Sequence, residues 1–138
     1  MDICIDFDGT CVTHEFPKVG KEIGAVEVLK RLVDAGHNLI LFTMRGNVDG
    51  GPSPEFPDVS GGKYLTDAVN WFKKHDIPLY GIQSNPTQTW TSSPKAYGQM
   101  YIDDLALGCP TILDPTISNK PFVDWEEIEF MLELEDII

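Results

Sequence analysis

Two aspartates two positions apart, Asp6 and Asp8, follow a short apolar run near the start of the chain. Side chains two positions apart in an extended strand point the same way, so the two carboxylates are expected on one side. Like charges at that separation repel, and one of them resists ionisation unless a cation lies between them. Gly9 allows the backbone to turn away sharply after the pair. This spacing is costly in a core and indicates a metal-assisted phosphoryl-transfer site.

Three further segments carry polar groups suited to the same chemistry. They are Thr43-Met44-Arg45, Ser93-Pro94-Lys95 and Asp103-Asp104. A calcium loop of the EF-hand type would need glycine at its sixth position and glutamate at its twelfth. Counted from Asp6, those positions hold Cys11 and Pro17, which excludes that reading.

Apolar strands alternate with amphipathic helices along the chain, which predicts a parallel sheet covered on both faces. The predicted strands are Ile3 to Asp6, Asn38 to Thr43, Pro78 to Ile82, Met100 to Asp103 and Thr111 to Leu113. The predicted helices are Glu22 to Ala35, Lys63 to His75 and a last helix that begins at the N-cap Asp124. Parallel sheets hold their sites beyond the carboxyl ends of their strands. Asp6, Thr43 and Asp103 all fall at such ends.

The segment 46–62 is rich in glycine and proline and leaves from the same edge of the sheet. A connection of this length in a small domain is usually functional or disordered. We interpret it as a substrate lid, with a mobile surface loop as the alternative. The length predicts one domain over residues 1–138.

The formal net charge of −12 argues against long nucleic acids and anionic membranes as partners. Any phosphate must therefore be held by a metal, by Arg45 or by a lysine. Three cysteines without metal-ligand spacing suggest reduced thiols in a cytoplasmic protein. The sequence has no apolar run of membrane-spanning length and no signal peptide is expected.

In this order and at these strand ends, the segments Asp-Phe-Asp-Gly-Thr at 6–10, Leu-Phe-Thr-Met-Arg at 41–45, Ser-Pro-Lys at 93–95 and Tyr-Ile-Asp-Asp at 101–104 resemble the four motifs of the haloacid-dehalogenase superfamily. The resemblance covers about the whole chain. It implies a three-layer Rossmann-like parallel sheet with helices on both faces. The connections after the first and third strands are short, so the chain is similar to members without a separate cap domain. Because members without a cap often use a neighbouring subunit as a lid, the resemblance also implies a homo-oligomer.

The resemblance implies a role for each acid of the site. Asp6 would attack phosphorus and form an aspartyl-phosphate. Asp8 would protonate the leaving oxygen and then activate water, and its backbone carbonyl would be a metal ligand. Mg²⁺ would be held by Asp6, Asp8, Asp103 and Asp104. Asp104 is favoured as a direct ligand and Asp103 as a direct or outer one.

The phosphate-binding groups follow from the same resemblance. Thr43 would donate its hydroxyl to a phosphate oxygen, and the backbone N–H of Met44 would do the same. Lys95 would neutralise the phosphoryl group, although no strand positions it, and Lys63 is a weaker candidate. Arg45, just past Thr43, is a candidate substrate contact, with a solvated role as the alternative.

The function predicted is a Mg²⁺-dependent phosphomonoester hydrolase acting on a small phosphorylated metabolite, a sugar phosphate or a nucleotide. Alternatives are a non-catalytic phosphate- or metal-binding module, a polynucleotide-end phosphatase and a phosphotransferase. A signalling receiver domain fits less well, because no mid-chain strand ends in aspartate. Two other side chains were singled out. His14 follows the first motif and is a candidate substrate contact, while Trp90 could stack on a substrate or cover the sheet.

Overall fold

The computed structural model describes residues 1–52, 54–55 and 60–138. Its strands are β1 (Asp2–Ile5), β2 (Asn38–Leu41), β3 (Gly81–Ile82), β4 (Met100–Ile102), β5 (Thr111–Ile112) and β6 (Phe122–Val123). Its helices are α1 (Ala25–Asp34), α2 (Tyr64–Lys74) and α3 (Trp125–Leu134). The alternating order predicted from the sequence is confirmed through β4. No helix in these ranges is both long and apolar enough to cross a membrane.

Four strands form a parallel sheet in the order β3-β2-β1-β4, flanked by helices. The chain moves outward from β1 to β3 and then crosses back to β4, as in a Rossmann-like fold. Ile3 pairs with Leu39 of β2 and with Met100 of β4, and Ile5 pairs with Leu41 and Ile102. The register therefore brings the carboxyl ends of β1, β2 and β4 to one edge, where Asp6, Thr43 and Asp103 follow them.

The three helices all bury their apolar residues against one face of the sheet. Ile3, Ile5, Leu39 and Leu41 belong to a cluster with the buried residues of α1, α2 and α3. Right-handed crossovers explain the shared face of α1 and α2, because both connect strands in the same direction across the sheet. The helices begin and end within three residues of the predicted limits. The largest difference is at the start of α1, which follows Gly24 with its φ of 93°.

The opposite face has a thinner cover. Cys4 and Ile40 pack there with Ala96 and Phe42. Ala96 belongs to the connection between β3 and β4, which contains no helix. The predicted helices on both faces are therefore not confirmed, because the connection that crosses this face stays irregular.

The predicted strand Thr111 to Leu113 is wrong in its placement. β5 pairs antiparallel with β6 in a separate two-stranded sheet, and β4 is left at the edge of the main sheet. The predicted cap at Asp124 is confirmed, since its side chain accepts from the Glu127 N–H at 3.1 Å. This cap starts α3 directly after β6.

Hydrogen bonds join the two ends of the segment 46–62. The Val48 N–H donates to the Gly62 carbonyl at 2.8 Å, and the Asn47 amide exchanges two hydrogen bonds with Thr66. Positions 53 and 56–59 lie outside the described residues, so the lid stays a prediction.

Candidate active site

Three carboxylates meet at the carboxyl edge of the sheet. Asp6 follows β1, Asp103 follows β4, and Asp104 is next along the chain. One oxygen from each lies within 4.8 Å of the other two, and all three side chains are half-buried. Hard oxygen ligands at this spacing suit a divalent cation such as Mg²⁺ or Ca²⁺. The donor set therefore fits a metal.

Asp6 is the most perturbed acid of the three. Its backbone N–H donates to the Ile102 carbonyl at 3.0 Å, which fixes it beside β4. Burial, helped by the charge of Asp103, raises the pKa of Asp6 to about 8. Among the described residues, no lysine or arginine nitrogen lies within 4 Å of a carboxylate oxygen of Asp6, Asp103 or Asp104. No lysine or arginine of the described chain therefore neutralises the triad, and a bound cation would supply positive charge there.

Asp104 is held by two side chains of the first loop. One of its oxygens lies 3.1 Å from the Thr10 hydroxyl, and the other lies 2.8 Å from Nε2 of His14. The Asp104 N–H donates back to the Thr10 hydroxyl oxygen at 3.1 Å. Asp103 instead lines the open cavity. One of its carboxylate oxygens accepts a hydrogen bond from the Leu105 N–H at 2.9 Å. This geometry favours Asp103 over Asp104 as the acid with the freer oxygen, the reverse of the sequence-based preference.

The loop after β1 leaves no room for a side chain at Gly9. A Cβ there would lie 2.0 Å from Nε2 of His14 and 2.6 Å from an oxygen of Asp104, and φ is +80°. The same loop is tied to the far end of the chain. The Gly9 carbonyl accepts from the Val123 N–H at 2.9 Å, and the Thr10 carbonyl accepts from the Trp125 indole at 2.7 Å. The first motif is therefore braced by β6 and α3.

Asp8 is not one of the three clustered carboxylates, and its side chain pairs with Arg45. The guanidinium donates through Nε and Nη2 to the two oxygens of Asp8, at 2.7 and 2.8 Å. Its other N–H groups point at the carbonyls of Pro17, Lys18 and Tyr64, at 3.5, 2.8 and 3.2 Å. All five guanidinium donors are thus directed at protein acceptors.

Arg45 lies below the surface instead of at the rim. Its side chain is 1 % exposed, and its guanidinium carbon lies 5.1 Å from the ring centres of both Phe7 and Phe16. The predicted substrate contact is not available in this geometry, because every polar hydrogen of the group is engaged. Arg45 acts here as an anchor for Asp8.

Thr43 and its neighbours form an ordered turn at the end of β2. The Gln83 side chain accepts from the Thr43 N–H at 2.9 Å and donates to the carbonyls of Thr43 and Arg45, at 2.7 and 3.0 Å. The Thr43 hydroxyl oxygen accepts from the Arg45 N–H at 3.1 Å, which leaves its own proton for another acceptor. Met44 is fully exposed at the tip of the turn.

A cavity of about 300 Å³ opens above the triad. Its lining consists of Asp6, Phe42, Thr43, Met44, Gln83, Pro94 and Asp103. The structure therefore brings together the proposed nucleophile, the proposed phosphate-binding turn and one acid of the fourth segment. A hydroxyl donor and a backbone turn on one side of a carboxylate are the groups that phosphoryl transfer requires.

Lys95 does not join this group. Its ammonium lies 5.3 Å from the ring centre of Tyr101, and the side chain is exposed. The neighbouring Pro94 lines the cavity in its place. Because the segment before Lys95 is irregular, no strand end directs this side chain toward Asp6.

Three contributing residues were not singled out from the sequence as parts of the site: Gln83, Trp125 and Thr10 as a partner of Asp104. Gln83 is a polar residue directly after the end of β3, which is the signal that could have found it, and its φ of +63° is uncommon for a residue other than glycine. Trp125 gave no signal, because its contact joins residues 115 positions apart. His14 was singled out, and the structure places it against Asp104.

No family model matches the sequence, and no curated protein matches it. A solved structure described as that of a conserved protein coded by a locus from Bacteroides thetaiotaomicron is similar to this chain, with a TM-score of 0.71 and 29 % sequence identity. The alignment covers 98 % of this chain and 91 % of that one. The similarity supports the α/β architecture along nearly the whole length, and the description of the neighbour states no activity.

Proposed function

We propose that this protein is a Mg²⁺-dependent phosphomonoester hydrolase of the haloacid-dehalogenase type, acting on a small phosphorylated metabolite. The observation that carries the proposal is the meeting of Asp6, Asp103 and the Thr43 turn around one cavity at the carboxyl edge of the sheet. The triad would hold the cation through Asp6, Asp103 and Asp104. When bound, Mg²⁺ would neutralise charge between the carboxylates and the phosphate.

The reaction divides into two steps. In the first, an Asp6 oxygen attacks phosphorus, the bond from phosphorus to the ester oxygen breaks, and the leaving alkoxide takes a proton. In the second, water attacks the aspartyl-phosphate, loses a proton, and phosphate departs while the Asp6 carboxylate is restored. The Thr43 hydroxyl proton and the Met44 N–H are the donors for the phosphoryl oxygens.

Asp8 is the proposed acid and base of the two steps. It would give a proton to the leaving oxygen in the first step and remove one from water in the second. Its bidentate pair with Arg45 fixes the position of both carboxylate oxygens. Arg45 therefore sets the orientation of Asp8.

A non-catalytic metal-binding module is the second candidate, favoured by one observation. Lys95, the proposed phosphoryl-neutralising lysine, lies against Tyr101 and away from the cavity. In a hydrolase Lys95 must move toward the cavity when substrate binds. A binding module needs no such movement and predicts metal binding without turnover. Homo-oligomerisation and a cytoplasmic location stay predictions.

The experiment is phosphate release with and without Mg²⁺ from sugar phosphates, nucleotides and phosphorylated oligonucleotide ends. Asp6→Asn is the inactive variant, and Asp34→Asn, at an exposed position in α1, is the matched control. We expect metal-dependent release in the wild type and the control, loss in Asp6→Asn, and acid-stable trapping of a phosphoryl group only in proteins that keep Asp6. Release that survives in Asp6→Asn would refute the mechanism. Mg²⁺ binding without release from any ester would favour the module.

A further inference from the structure

The long stretch that crosses the thinly covered face of the sheet differs in charge from the rest of the chain. Between Asp76 and Asp103 there is no acidic residue, although the whole chain has 22. The one charged side chain in that stretch is Lys95. Because the net charge is −12, a stretch without acidic residues repels an anion less than the chain as a whole does. This face is therefore the one that we consider for the approach of a phosphorylated substrate.

Large aromatic side chains stand exposed on this same face. Trp90 is 63 % exposed, and Tyr97 and Tyr101 are each about 40 % exposed, at 42 % and 39 %. Trp90 and Tyr97 meet edge to face with ring centres 5.2 Å apart. We call Trp90, Tyr97 and Tyr101 the aromatic ledge. Trp90 does not cover the sheet, since Ala96 fills that position.

The ledge is held by a fixed loop. The Gln88 side chain accepts from the Tyr97 N–H at 2.7 Å and donates to the Lys95 carbonyl at 2.9 Å, which ties the two limbs of the loop together. The Asn85 side chain, buried beneath, donates to the Tyr97 carbonyl at 3.0 Å. Trp90 is thus presented to solvent by a well-bonded loop. Rigid, exposed aromatic rings are the groups that recognise planar ligands.

The ledge adjoins the catalytic cavity. Pro94 lines that cavity and also a neighbouring hollow of about 190 Å³. This hollow shares Ser93 and Lys95 with a second one of about 260 Å³, which Trp90 lines. From the other side, Phe42 lines the cavity and contacts Tyr101, with ring centres 6.4 Å apart. Neighbouring hollows with shared lining residues therefore connect the region of Asp6 with that of Trp90.

We propose that the aromatic ledge is the binding site for the base of a nucleoside monophosphate whose phosphate lies in the catalytic cavity. The inference rests on the proposed function and selects the nucleotide from the two substrate classes given there. The base stacks on Trp90, the ribose crosses the polar hollow beside Ser93, and Lys95, which lines that hollow, moves from it toward the phosphate. A sugar phosphate would fill the cavity and the hollow and leave Trp90 uncovered.

The test compares two esters that differ only by the base: a nucleoside 5′-monophosphate and ribose 5-phosphate. Base stacking on an aromatic side chain predicts a ratio of kcat/KM values of about 10 in favour of the nucleotide. Trp90→Ala should bring that ratio close to 1, and Trp90→Phe should keep most of it. Phe130→Ala, which removes an exposed aromatic ring from α3, should leave the ratio unchanged. A wild-type ratio near 1, or one that Trp90→Ala does not alter, would overturn the assignment.

A binding measurement separates this inference from the proposed function. Trp71 and Trp125 are 6 % and 3 % exposed, so iodide quenching of tryptophan fluorescence reports mainly on Trp90. In the Asp6→Asn protein with Mg²⁺, the nucleotide should protect this fluorescence and ribose 5-phosphate should not. If the nucleotide protects Trp90 fluorescence but the wild-type protein hydrolyses no ester, the proposed function is refuted and the ledge remains a base-binding site. Asp6-dependent hydrolysis without protection would keep the function and refute the ledge.

Discussion

Arg45→Met tests whether the buried guanidinium holds the site together. Methionine keeps an apolar side chain beside Phe7 and Phe16 and removes all five N–H donors. Both oxygens of Asp8 and the carbonyls that Arg45 contacts then lose their hydrogen bonds from Arg45. Breaking a buried ion pair by removing one partner costs about 3–5 kcal/mol. Asp8 is 16 % exposed, so water replaces part of the loss, and we expect about 3 kcal/mol.

The assay is equilibrium unfolding in urea at pH 7. With a slope of about 2 kcal/mol per molar urea, the midpoint should fall by about 1.5 M. Arg31→Met is the matched control, because Arg31 also contacts two carboxylates, those of Glu129 and Glu133, with its side chain 42 % exposed. Exposed pairs contribute little to stability, because water screens them. The control midpoint should therefore move much less than the midpoint of Arg45→Met.

A double-mutant cycle completes the test. If Arg45 and Asp8 form one unit, Asp8→Asn combined with Arg45→Met should cost less than the sum of the two single changes. Equal falls of the midpoint in Arg45→Met and Arg31→Met would contradict the anchoring role of Arg45. So would changes at Asp8 and Arg45 whose effects add without coupling. Either result would mean that the bidentate contact does not fix the first loop.

Three further changes probe the same edge of the sheet. Because the pKa of Asp6 is raised to about 8 on folding, from about 4 in an unfolded chain, only the folded protein holds this proton between those values. The stability of the metal-free protein should therefore fall as pH rises from about 4 to 8, and thermal unfolding should show that Asp6→Asn removes most of the fall. Gly9→Ala should push His14 off Asp104 and weaken Mg²⁺ binding by about 10-fold in calorimetry. Gly36→Ala also has positive φ but meets nothing within 4 Å, so it should cost about 1 kcal/mol and spare the metal. Gln83→Leu removes three hydrogen bonds from the Thr43 turn and should lower the free energy of unfolding by about 2 kcal/mol. An unchanged urea midpoint would contradict that role for Gln83.

The sequence predicts the features that depend on local pattern. The apolar strands and the rule that parallel strands end at one edge place Asp6, Thr43 and Asp103 together, and the structure brings these three to one cavity. The Asp124 cap depends on a side chain and an N–H three residues apart, so it is also readable from the sequence. Local periodicity carries this information directly.

Features that depend on long-range geometry were missed. Arg45 was expected at the rim because it follows Thr43, but its partners come from residues 8, 17, 18 and 64. The helices were expected on both faces, although α1 and α2 join strands laid down in one direction and so must share a face. The position of Lys95 could not be predicted, because no regular element directs it.

The hydrogen bond from the Trp125 indole to the Thr10 carbonyl bears on the order in which the chain folds. Together with the contact between Val123 and Gly9, it means that the loop carrying the first motif is completed by residues synthesised more than a hundred positions later. Contacts at such separation form late, because a long loop must close before they contribute. We therefore expect the first segment of the site to leave the ribosome to be among the last to become ordered. In a protein with Trp71→Phe and Trp90→Phe, Trp125 fluorescence would follow the ordering of that loop and report the arrival of α3 on the sheet.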